Sequence, residues 1–345
     1  MKRAHKLRTA GLMSILASGA LVLGACSDAG KNGAQSGDSQ NNASGEGFEF
    51  SNCGFTMQLD KPAERIMSVE QGTTDNVLAF GLGNTLAGYS HQKDAPLEGY
   101  EDEMEKSTEV SPEVATAEQI RTVDPDAILS PFESVYTDDG AGTREEWKKL
   151  GVATWYSNVE CRDKDGNEGK NAYDLLLKDY QQLGQLFGAE DKAAELEKKH
   201  KEHVDAATES VKDAPKDLSG ALLYSIFDGA PYVGGKLSIA QDIFDLTGVK
   251  NVFDDANEAW PELSWEALAD KDPDFIVLAD LPGRGAPGDK AEEKIEMLEK
   301  DPATRNLKAV KEKRYVIVKG IGLSGSVQSY EPLEDVAEYV KNWKN

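Results

Sequence analysis

The sequence predicts an α/β protein with two similar lobes, each a mostly parallel sheet flanked by helices, joined by a long bridging helix. Three observations predict this fold. Apolar strands alternate with amphipathic helices along most of the chain, two long helical segments interrupt the alternation near its middle, and one helix-turn-strand phrase occurs twice. In such a protein a ligand binds in the crevice between the lobes, beyond the carboxyl ends of the strands.

The repeated phrase is the most informative of these observations. Its copies span residues 118–129 and 266–278, and both begin with Glu and contain Asp-Pro before an apolar run. Each copy predicts a short amphipathic helix that Asp-Pro stops, followed by a strand. The copies lie much further apart than the period of any solenoid, so they indicate two related lobes rather than a stacked array.

The beginning of the chain predicts where the protein works. Basic residues, an apolar run and small residues precede Cys26, as in a secretory signal peptide over residues 1–25. The apolar run is too short to span about 30 Å of hydrocarbon. The sequence Leu-Gly-Ala-Cys resembles the bacterial lipoprotein signal, which implies that Cys26 carries a lipid such as palmitate. Residues 26–47 have little to bury and are predicted to be a disordered tether. We therefore expect a lipoprotein attached to the outer face of the cell membrane.

The remaining elements follow in order along three segments. The first lobe is predicted over 48–171, with strands at 65–69, 86–90, 127–130 and 152–156 and a helix at 75–80 after a polar loop at 70–74. The bridge is predicted over 172–214, as helical segments 173–187 and 189–212 broken at Gly188. The second lobe is predicted over 215–345, with further strands and helices at 221–227, 237–247, 265–269, 275–279, 315–318 and 333–343. A bridge of this kind restricts lobe motion.

Composition limits the function. The formal net charge of −24 argues against a nucleic-acid partner and against a basic membrane-binding patch, and the acidic residues are spread as on a solvated surface. Beyond Cys26 the chain has two cysteines, Cys53 and Cys161. In a secreted protein an even pair predicts a disulfide bond, with two buried thiols as the alternative.

Several segments resemble one family. Residues 65–90, 118–129, 234–248, 266–278 and 309–318 are similar, in order and spacing, to substrate-binding proteins of ABC importers for iron-siderophores, haem and cobalamin. The resemblance implies a receptor that works with an ABC permease and its ATPase, needs no cofactor and opens and closes only slightly. It also implies that Glu118 and Glu266 dock to the permease, whereas an ordinary solvated or helix-capping role is the alternative. We expect a monomer.

Candidate ligand residues lie in loops after the predicted strands. Aromatic rings offer flat apolar walls and a cation or amide fixes orientation, which suits a bulky chelate or corrinoid. Each aromatic residue can alternatively belong to a core, and Arg284, the strongest cation candidate, can be a solvated loop residue. The candidates are Glu70, Gln71, Thr73, Tyr89, His91, Phe132, Tyr136, Trp155, Tyr156, Phe227, Tyr232, Trp260 and Arg284.

Catalytic and metal-binding motifs are absent from the sequence. There is no nucleophile elbow or phosphate-binding glycine loop, and the few histidines cannot form a metal site with converging ligands. His200 and His203 are expected on an exposed helix face. A ferric siderophore is the first expected ligand and cobalamin the second. A deazaflavin precursor is the third, because residues 132–161 also resemble actinobacterial receptors proposed for such precursors. A cell-surface α/β enzyme remains the alternative class.

Overall fold

Two five-stranded sheets, one in each lobe, form the framework of the protein. The structure, a computed structural model, describes residues 47–344. The first sheet has the order β5-β4-β3-β6-β7 and is parallel throughout. The first lobe contains strands β1 (Phe48–Asn52), β2 (Phe55–Leu59), β3 (Ile66–Ser68), β4 (Leu86–Ser90), β5 (Thr108–Ser111), β6 (Ala127–Ser130) and β7 (Ala153–Tyr156) and helices α1 (Gln71–Ala79), α2 (Glu101–Lys106), α3 (Ala117–Arg121) and α4 (Arg144–Lys149).

The second lobe follows two helices, α5 (Ala172–Phe187) and α6 (Glu190–Ser210). Its parallel strands have the order β10-β8-β11-β12, and β9 pairs antiparallel with β8. The predicted two-lobed α/β fold is confirmed. The second lobe contains strands β8 (Ser219–Phe227), β9 (Ala230–Val233), β10 (Lys250–Asn251), β11 (Phe275–Asp280) and β12 (Tyr315–Lys319) and helices α7 (Ile239–Thr247), α8 (Trp265–Lys271), α9 (Ala291–Lys300), α10 (Lys308–Lys311) and α11 (Glu331–Lys341).

The repeated phrase forms the same unit in both lobes. Helix α3 leads into β6, and helix α8 leads into β11. The Asp of each Asp-Pro pair lies in the left-handed region, with φ of 46° at Asp124 and 39° at Asp272. A left-handed residue followed by proline ends a helix, so the chain turns at the same place in each lobe. Both strands lie inside their sheets and are almost wholly buried.

The predicted helical bridge consists of two helices packed as a hairpin. The break at Gly188 reverses the chain, because this residue has φ of 63° and ends α5 in the left-handed conformation. Helix α5 buries Tyr173 in the core of the second lobe and Tyr180 in the core of the first. Helix α6 returns, with Ala193 in the first core and Ala207 in the second. Each helix therefore crosses the boundary between the lobes once.

Helix α1 begins earlier than the sequence predicts. Residues 70–74 were expected to form a loop, but the helix starts at Gln71. The backbone N–H groups of Thr73 and Thr74 donate to the Glu70 carbonyl at 3.1 and 3.2 Å, and the Thr73 hydroxyl donates to it at 2.8 Å. A side chain at Gly72 would lie 3.3 Å from Ser326 of the second lobe. Close tertiary packing thus overrides the weak helix propensity of Gly and Thr.

Strands β1 and β2 form a β-hairpin that was not predicted from the sequence. Its two-residue turn, Cys53-Gly54, has φ of 53° and 76°, as such turns require. A disulfide joins Cys53 to Cys161, which follows β7, with 5.8 Å between the Cα atoms. The buried Arg144 guanidinium donates to the carbonyls of Asn52 and Thr154 at 3.1 and 2.9 Å. The hairpin is therefore fixed to the edge of the first sheet.

The predicted signal peptide (1–25), the lipidation site Cys26 and all but the last residue of the tether (26–47) lie outside the described residues. Within residues 47–344, no helix has both the length and the apolar composition that crossing a membrane requires.

Removal of the disulfide should destabilise the protein. The double variant Cys53→Ser, Cys161→Ser should lose about 2 to 5 kcal/mol of unfolding free energy, because the bond closes a long loop and restricts the unfolded chain. Urea unfolding followed by circular dichroism measures the difference. Reductant should lower the stability of the native protein to the same level and leave the variant unchanged. Two reactive thiols in the denatured, unreduced protein would contradict the bond.

Candidate functional site

A crevice runs between the lobes at the carboxyl ends of both parallel sheets. The Gly283 N–H, after β11, donates to the Lys93 carbonyl, after β4, at 2.8 Å. The Val327 N–H, beyond β12, donates to Asn76 Oδ1 on α1 at 2.8 Å. Near Phe132 the cavity between the lobes has a volume of only about 10 Å³. The lobes thus meet where the topology of parallel sheets places ligand sites, and the crevice is nearly closed.

A buried ion pair lies on the first lobe's side of the crevice. Lys93 Nζ is 2.5 Å from Glu70 Oε2, and His91 Nδ1 is 2.9 Å from Glu70 Oε1. Burial acts to raise the pKa of Glu70, but the Lys93 ammonium and His91 bring it below its ordinary value. Burial acts to lower the pKa of Lys93, but Glu70 brings it above its ordinary value. Both groups are therefore charged at neutral pH.

Glu70 and His91 were predicted from the sequence, but Lys93 was not. A lysine in a polar loop is normally expected to be exposed to solvent. In the folded protein, however, Lys93 is only 4 % exposed. Gln71 positions this loop, because its Oε1 accepts from the N–H groups of Lys93 and Asp94 at 2.7 and 2.8 Å and its Nε2 donates to the Ala95 carbonyl at 2.8 Å. The Gln71 amide is used within the protein, so Gln71 is a positioning residue rather than a ligand contact.

Aromatic rings and one arginine form the second lobe's side. The Arg284 guanidinium lies 4.8 Å from the ring centroid of Phe227, which packs edge-on against Tyr232 at 4.8 Å between centroids. Tyr224 and Trp260 form a second pair, 4.7 Å apart. This side therefore presents a cation and flat apolar surface, the two features expected of a site for a bulky chelate.

The arginine faces the ion pair across the crevice. Arg284 directly follows Gly283, whose N–H donates to the Lys93 carbonyl at 2.8 Å, so this contact brings the two cationic residues together. The buried Asp289 carboxylate is 3.5 Å from Arg284 Nε and accepts from the Ser225 hydroxyl at 2.9 Å. Two cationic groups from opposite lobes thus converge, each already neutralised by a buried carboxylate.

Three predicted ligand residues do not line the crevice. Trp155, Tyr136 and Tyr156 are buried in the first lobe. Trp155 Nε1 donates to Gln182 on α5 at 3.3 Å, the Tyr136 hydroxyl donates to the Trp155 carbonyl at 2.8 Å, and the Tyr156 hydroxyl donates to Glu133 at 2.9 Å. Strand β7 is covered on both faces, so successive side chains enter a core on either side. The prediction that Trp155, Tyr136 and Tyr156 contact the ligand is corrected accordingly, because all three belong to the core of the first lobe.

Two further candidates also lie away from the crevice. Thr73 is fully buried, and its hydroxyl is 2.7 Å from Ser68 Oγ, so it holds the start of α1. Tyr89 lines a lateral groove beside α2 together with Met104 and Glu109. The predicted residues that the structure brings to the crevice are Glu70, His91, Phe132, Phe227, Trp260 and Arg284. Tyr232 joins them only through its ring contact with Phe227, because its hydroxyl donates to the exposed Glu262.

Glu118 and Glu266 occupy equivalent exposed positions, one on each lobe. Both are the second residue of their helices, α3 and α8. The preceding Thr116 and Ser264 cap the helices through their side chains. Negative charge is favoured at a helix N-terminus, so a capping role and a docking role are compatible.

The two histidines on α6 differ from the sequence expectation. His200 is buried rather than exposed, and burial lowers its pKa to about 4. His203 Nδ1 is 2.6 Å from Glu334 Oε1, and its ring stacks on Tyr330 with 4.0 Å between centroids. Within the described part of the chain, no group of three or more His, Cys, Asp or Glu residues is placed to hold a metal ion.

Comparisons with known proteins identify similar sequences and a similar fold. A family model described as periplasmic binding protein matches residues 66–320. The chain is 24% identical over 279 residues to the ABC transporter substrate-binding lipoprotein YvrC of Bacillus subtilis, covering 79% of this chain and 81% of YvrC. It is 24% identical over 223 residues to the vitamin B12-binding protein of Yersinia pestis, covering 63% and 70% of the two chains. A solved structure from Saccharomonospora viridis, described as an ABC-type Fe3+-hydroxamate transport system, superposes with a TM-score of 0.70 at 23% identity and covers 85% of this chain and 98% of its own.

The buried Asp75 should make stability depend on pH. Burial raises its pKa to about 7 from an ordinary 3.8, although Gln328 Nε2 donates to it at 2.7 Å. The hydrogen bond from Gln328 and the charge of Lys319 act to lower this pKa, whereas burial and the charges of Asp94 and Glu331 act to raise it. Because the folded pKa is raised, the carboxyl destabilises the fold progressively as pH rises from about 4 to about 7.

Asp75→Asn keeps an acceptor for Gln328 and removes the titration. It should be more stable than the native protein at pH 8 by roughly 2 to 4 kcal/mol and equally stable near pH 4. Urea unfolding across this pH range measures the difference, and Asp102→Asn on the exposed side of α2 is the control. A constant difference at all pH values would contradict the assignment.

Proposed function

Because the chain belongs to the periplasmic binding protein family, we propose that it is the extracytoplasmic solute receptor of an ABC importer. It captures a bulky chelate in the crevice and delivers it to the permease, which the ATPase drives. The observation that carries this proposal is the convergence of Lys93, Arg284 and two aromatic pairs from opposite lobes at the carboxyl ends of both sheets. Such a site binds and orients a ligand without transforming it.

A ferric siderophore is the ligand that we propose first. The Arg284 guanidinium can bind anionic oxygens of a chelate through two N–H groups. The rings of Phe227, Tyr232 and Trp260 can cover the apolar surface of the same chelate. The name of the Saccharomonospora relative, a Fe3+-hydroxamate transport system, supports this choice. The vitamin B12-binding relative from Yersinia favours cobalamin as the second candidate, and a deazaflavin precursor remains the third.

The receptor is attached to the membrane by a lipid, and its lobes move only slightly. Lipid on Cys26 holds the monomeric receptor at the outer face of the membrane, as the lipoprotein relative from Bacillus suggests. The lobes comprise residues 48–171 and 215–345, and the bridge comprises 172–214. Since both bridge helices are buried in both cores, the lobes separate only slightly when ligand enters.

Arg284→Ala should weaken ligand binding without unfolding the protein. A ferric hydroxamate siderophore, cobalamin and a deazaflavin precursor are titrated by calorimetry, and mass spectrometry shows whether the ligand returns unchanged. Loss of a charge-assisted contact should raise the Kd of the true ligand about tenfold or more. Arg305→Ala, an exposed arginine in the same lobe, is the matched control. Turnover of the compound, or equal effects of the two variants, would overturn the proposal.

We also propose that Glu118 and Glu266 dock the receptor to the permease. The double reversal Glu118→Arg, Glu266→Arg should preserve ligand affinity but slow uptake in reconstituted vesicles, because rim charges set encounter and orientation. Added salt should weaken docking of the native protein.

The matched control for docking is Glu145→Arg with Glu292→Arg. These exposed acids are also the second residues of their helices, one on each lobe, so the control changes net charge and helix-end electrostatics equally. Uptake reduced to the same degree by both double variants would reject the assignment. Loss of ligand affinity would place the glutamates in the binding site instead.

A further inference from the structure

A second cavity lies between the lobes on the side of the bridge. Its volume is about 490 Å³, within the range of small-molecule sites. Its walls come from the loop after β4, from the chain after β12 and from α6. The loop that Gln71 clamps separates it from the crevice, because Lys93 contacts Gly283 while the next residue, Asp94, lines the cavity. The cavity is therefore distinct from the site proposed above.

Helix α6 presents one face to this cavity. Lys192, Leu196, Lys199 and His200 line it, and their spacing of four, seven and eight residues from the first places them on one side of a helix. The apolar Leu196 thus lies between two lysines, and His200 lies at the buried end of the row.

Lysines without a strong partner line the α6 side of this cavity, whereas the acidic Asp94 and Glu98 lie on the wall formed by the loop after β4. Lys319 Nζ is 2.9 Å from Glu331, so that pair is internally balanced. Lys192 has only an exposed partner on its own helix, Glu195, and such pairs contribute little. Among the described residues no carboxylate lies within 4 Å of the Lys199 ammonium, which instead lies 5.6 Å from the Tyr330 ring centroid.

The other walls are aromatic and apolar. Tyr100, Tyr180 and Tyr330 line the cavity together with Ile321 and Val327. His200 adds a neutral polar group, because burial lowers its pKa to about 4. Its Nε2 atom is buried without a hydrogen bond of normal geometry, although the nearby Tyr173 backbone favours the protonated ring. The interior thus suits a flat ring, and its α6 rim suits an anion.

We propose that this cavity binds a small amphipathic organic acid, a conjugated ring system that carries one carboxylate or sulfonate. The ring packs among the tyrosines and Leu196, and the acid group lies beside Lys199 and Lys192. The ligand contacts both lobes and the bridge at once. Because the whole protein is strongly acidic, its long-range field repels such a ligand, so binding requires moderate salt to screen that field.

The test uses 8-anilinonaphthalene-1-sulfonate as the probe. Its fluorescence is titrated against the purified protein at about 150 mM salt, where the Debye length is about 8 Å. We expect one saturable site. Lys199→Glu should raise the Kd about tenfold or more, and Leu196→Trp, which fills the cavity, should abolish saturable binding.

Two control variants distinguish binding at this cavity from a general charge effect and from binding in the crevice. Lys198→Glu makes the same charge change on the neighbouring exposed residue of α6 and should alter the Kd less than about twofold. Arg284→Ala alters the crevice and should also leave probe binding unchanged. Thermal unfolding verifies that every variant is folded. Equal weakening by Lys198→Glu and Lys199→Glu, unsaturable binding, or loss of binding in Arg284→Ala would each overturn the proposal.

Discussion

The structure depends on the burial of one helical hairpin in two hydrophobic cores. Helix α5 contributes Tyr173 to the second core and Tyr180 to the first, and α6 crosses in the opposite direction. Large separation of the lobes would expose apolar surface on both helices, at a cost of about 25 cal/mol for each Å². Burial of the hairpin in both cores therefore opposes a large opening of the crevice.

Buried polar groups define how the lobes meet on this frame. Asp179 on α5 accepts from the Ser157 hydroxyl at 2.5 Å and from the Asn158 N–H at 2.8 Å, and burial raises its pKa to about 7. A side chain at Gly325 of the second lobe would lie 2.3 Å from Ser157 Oγ, so the backbone of one lobe packs directly on this pair. Satisfied buried hydrogen bonds favour one arrangement over others, because an altered contact would leave polar groups unpaired.

The same reasoning applies to ligand capture. In the nearly closed crevice, Glu70 and Asp289 neutralise Lys93 and Arg284. An anionic ligand that enters would compete with these carboxylates for the two cations, and it would have to replace the contact between Lys93 and Gly283. For the function proposed above, a ligand would need both oxygen acceptors and an apolar face, since either feature alone leaves a buried group without a partner.

Four features follow from the amino-acid sequence alone: the two-lobed plan, the strands and helices of the repeated phrase, the break at Gly188 and the disulfide between Cys53 and Cys161. These features depend on local rules of periodicity, proline and glycine, which act over a few residues. About half of the candidate ligand residues also lie at the crevice, because loops after parallel strands meet at one edge of a sheet.

Which side chains face the crevice and which enter a core depends instead on contacts between distant parts of the chain. Trp155 looked like a wall residue, but β7 is covered on both faces, and alternation along a strand cannot show how many faces are covered. The sequence around Lys93 is typical of a solvent-exposed loop. In the structure, however, the Gln71 side chain holds this loop in place and the Glu70 carboxylate neutralises the Lys93 ammonium. His200 was predicted to be exposed, but the rings of Tyr180 on α5 and of Tyr330 cover it. In each case the deciding contact comes from residues distant in sequence, and local patterns carry no information about such contacts.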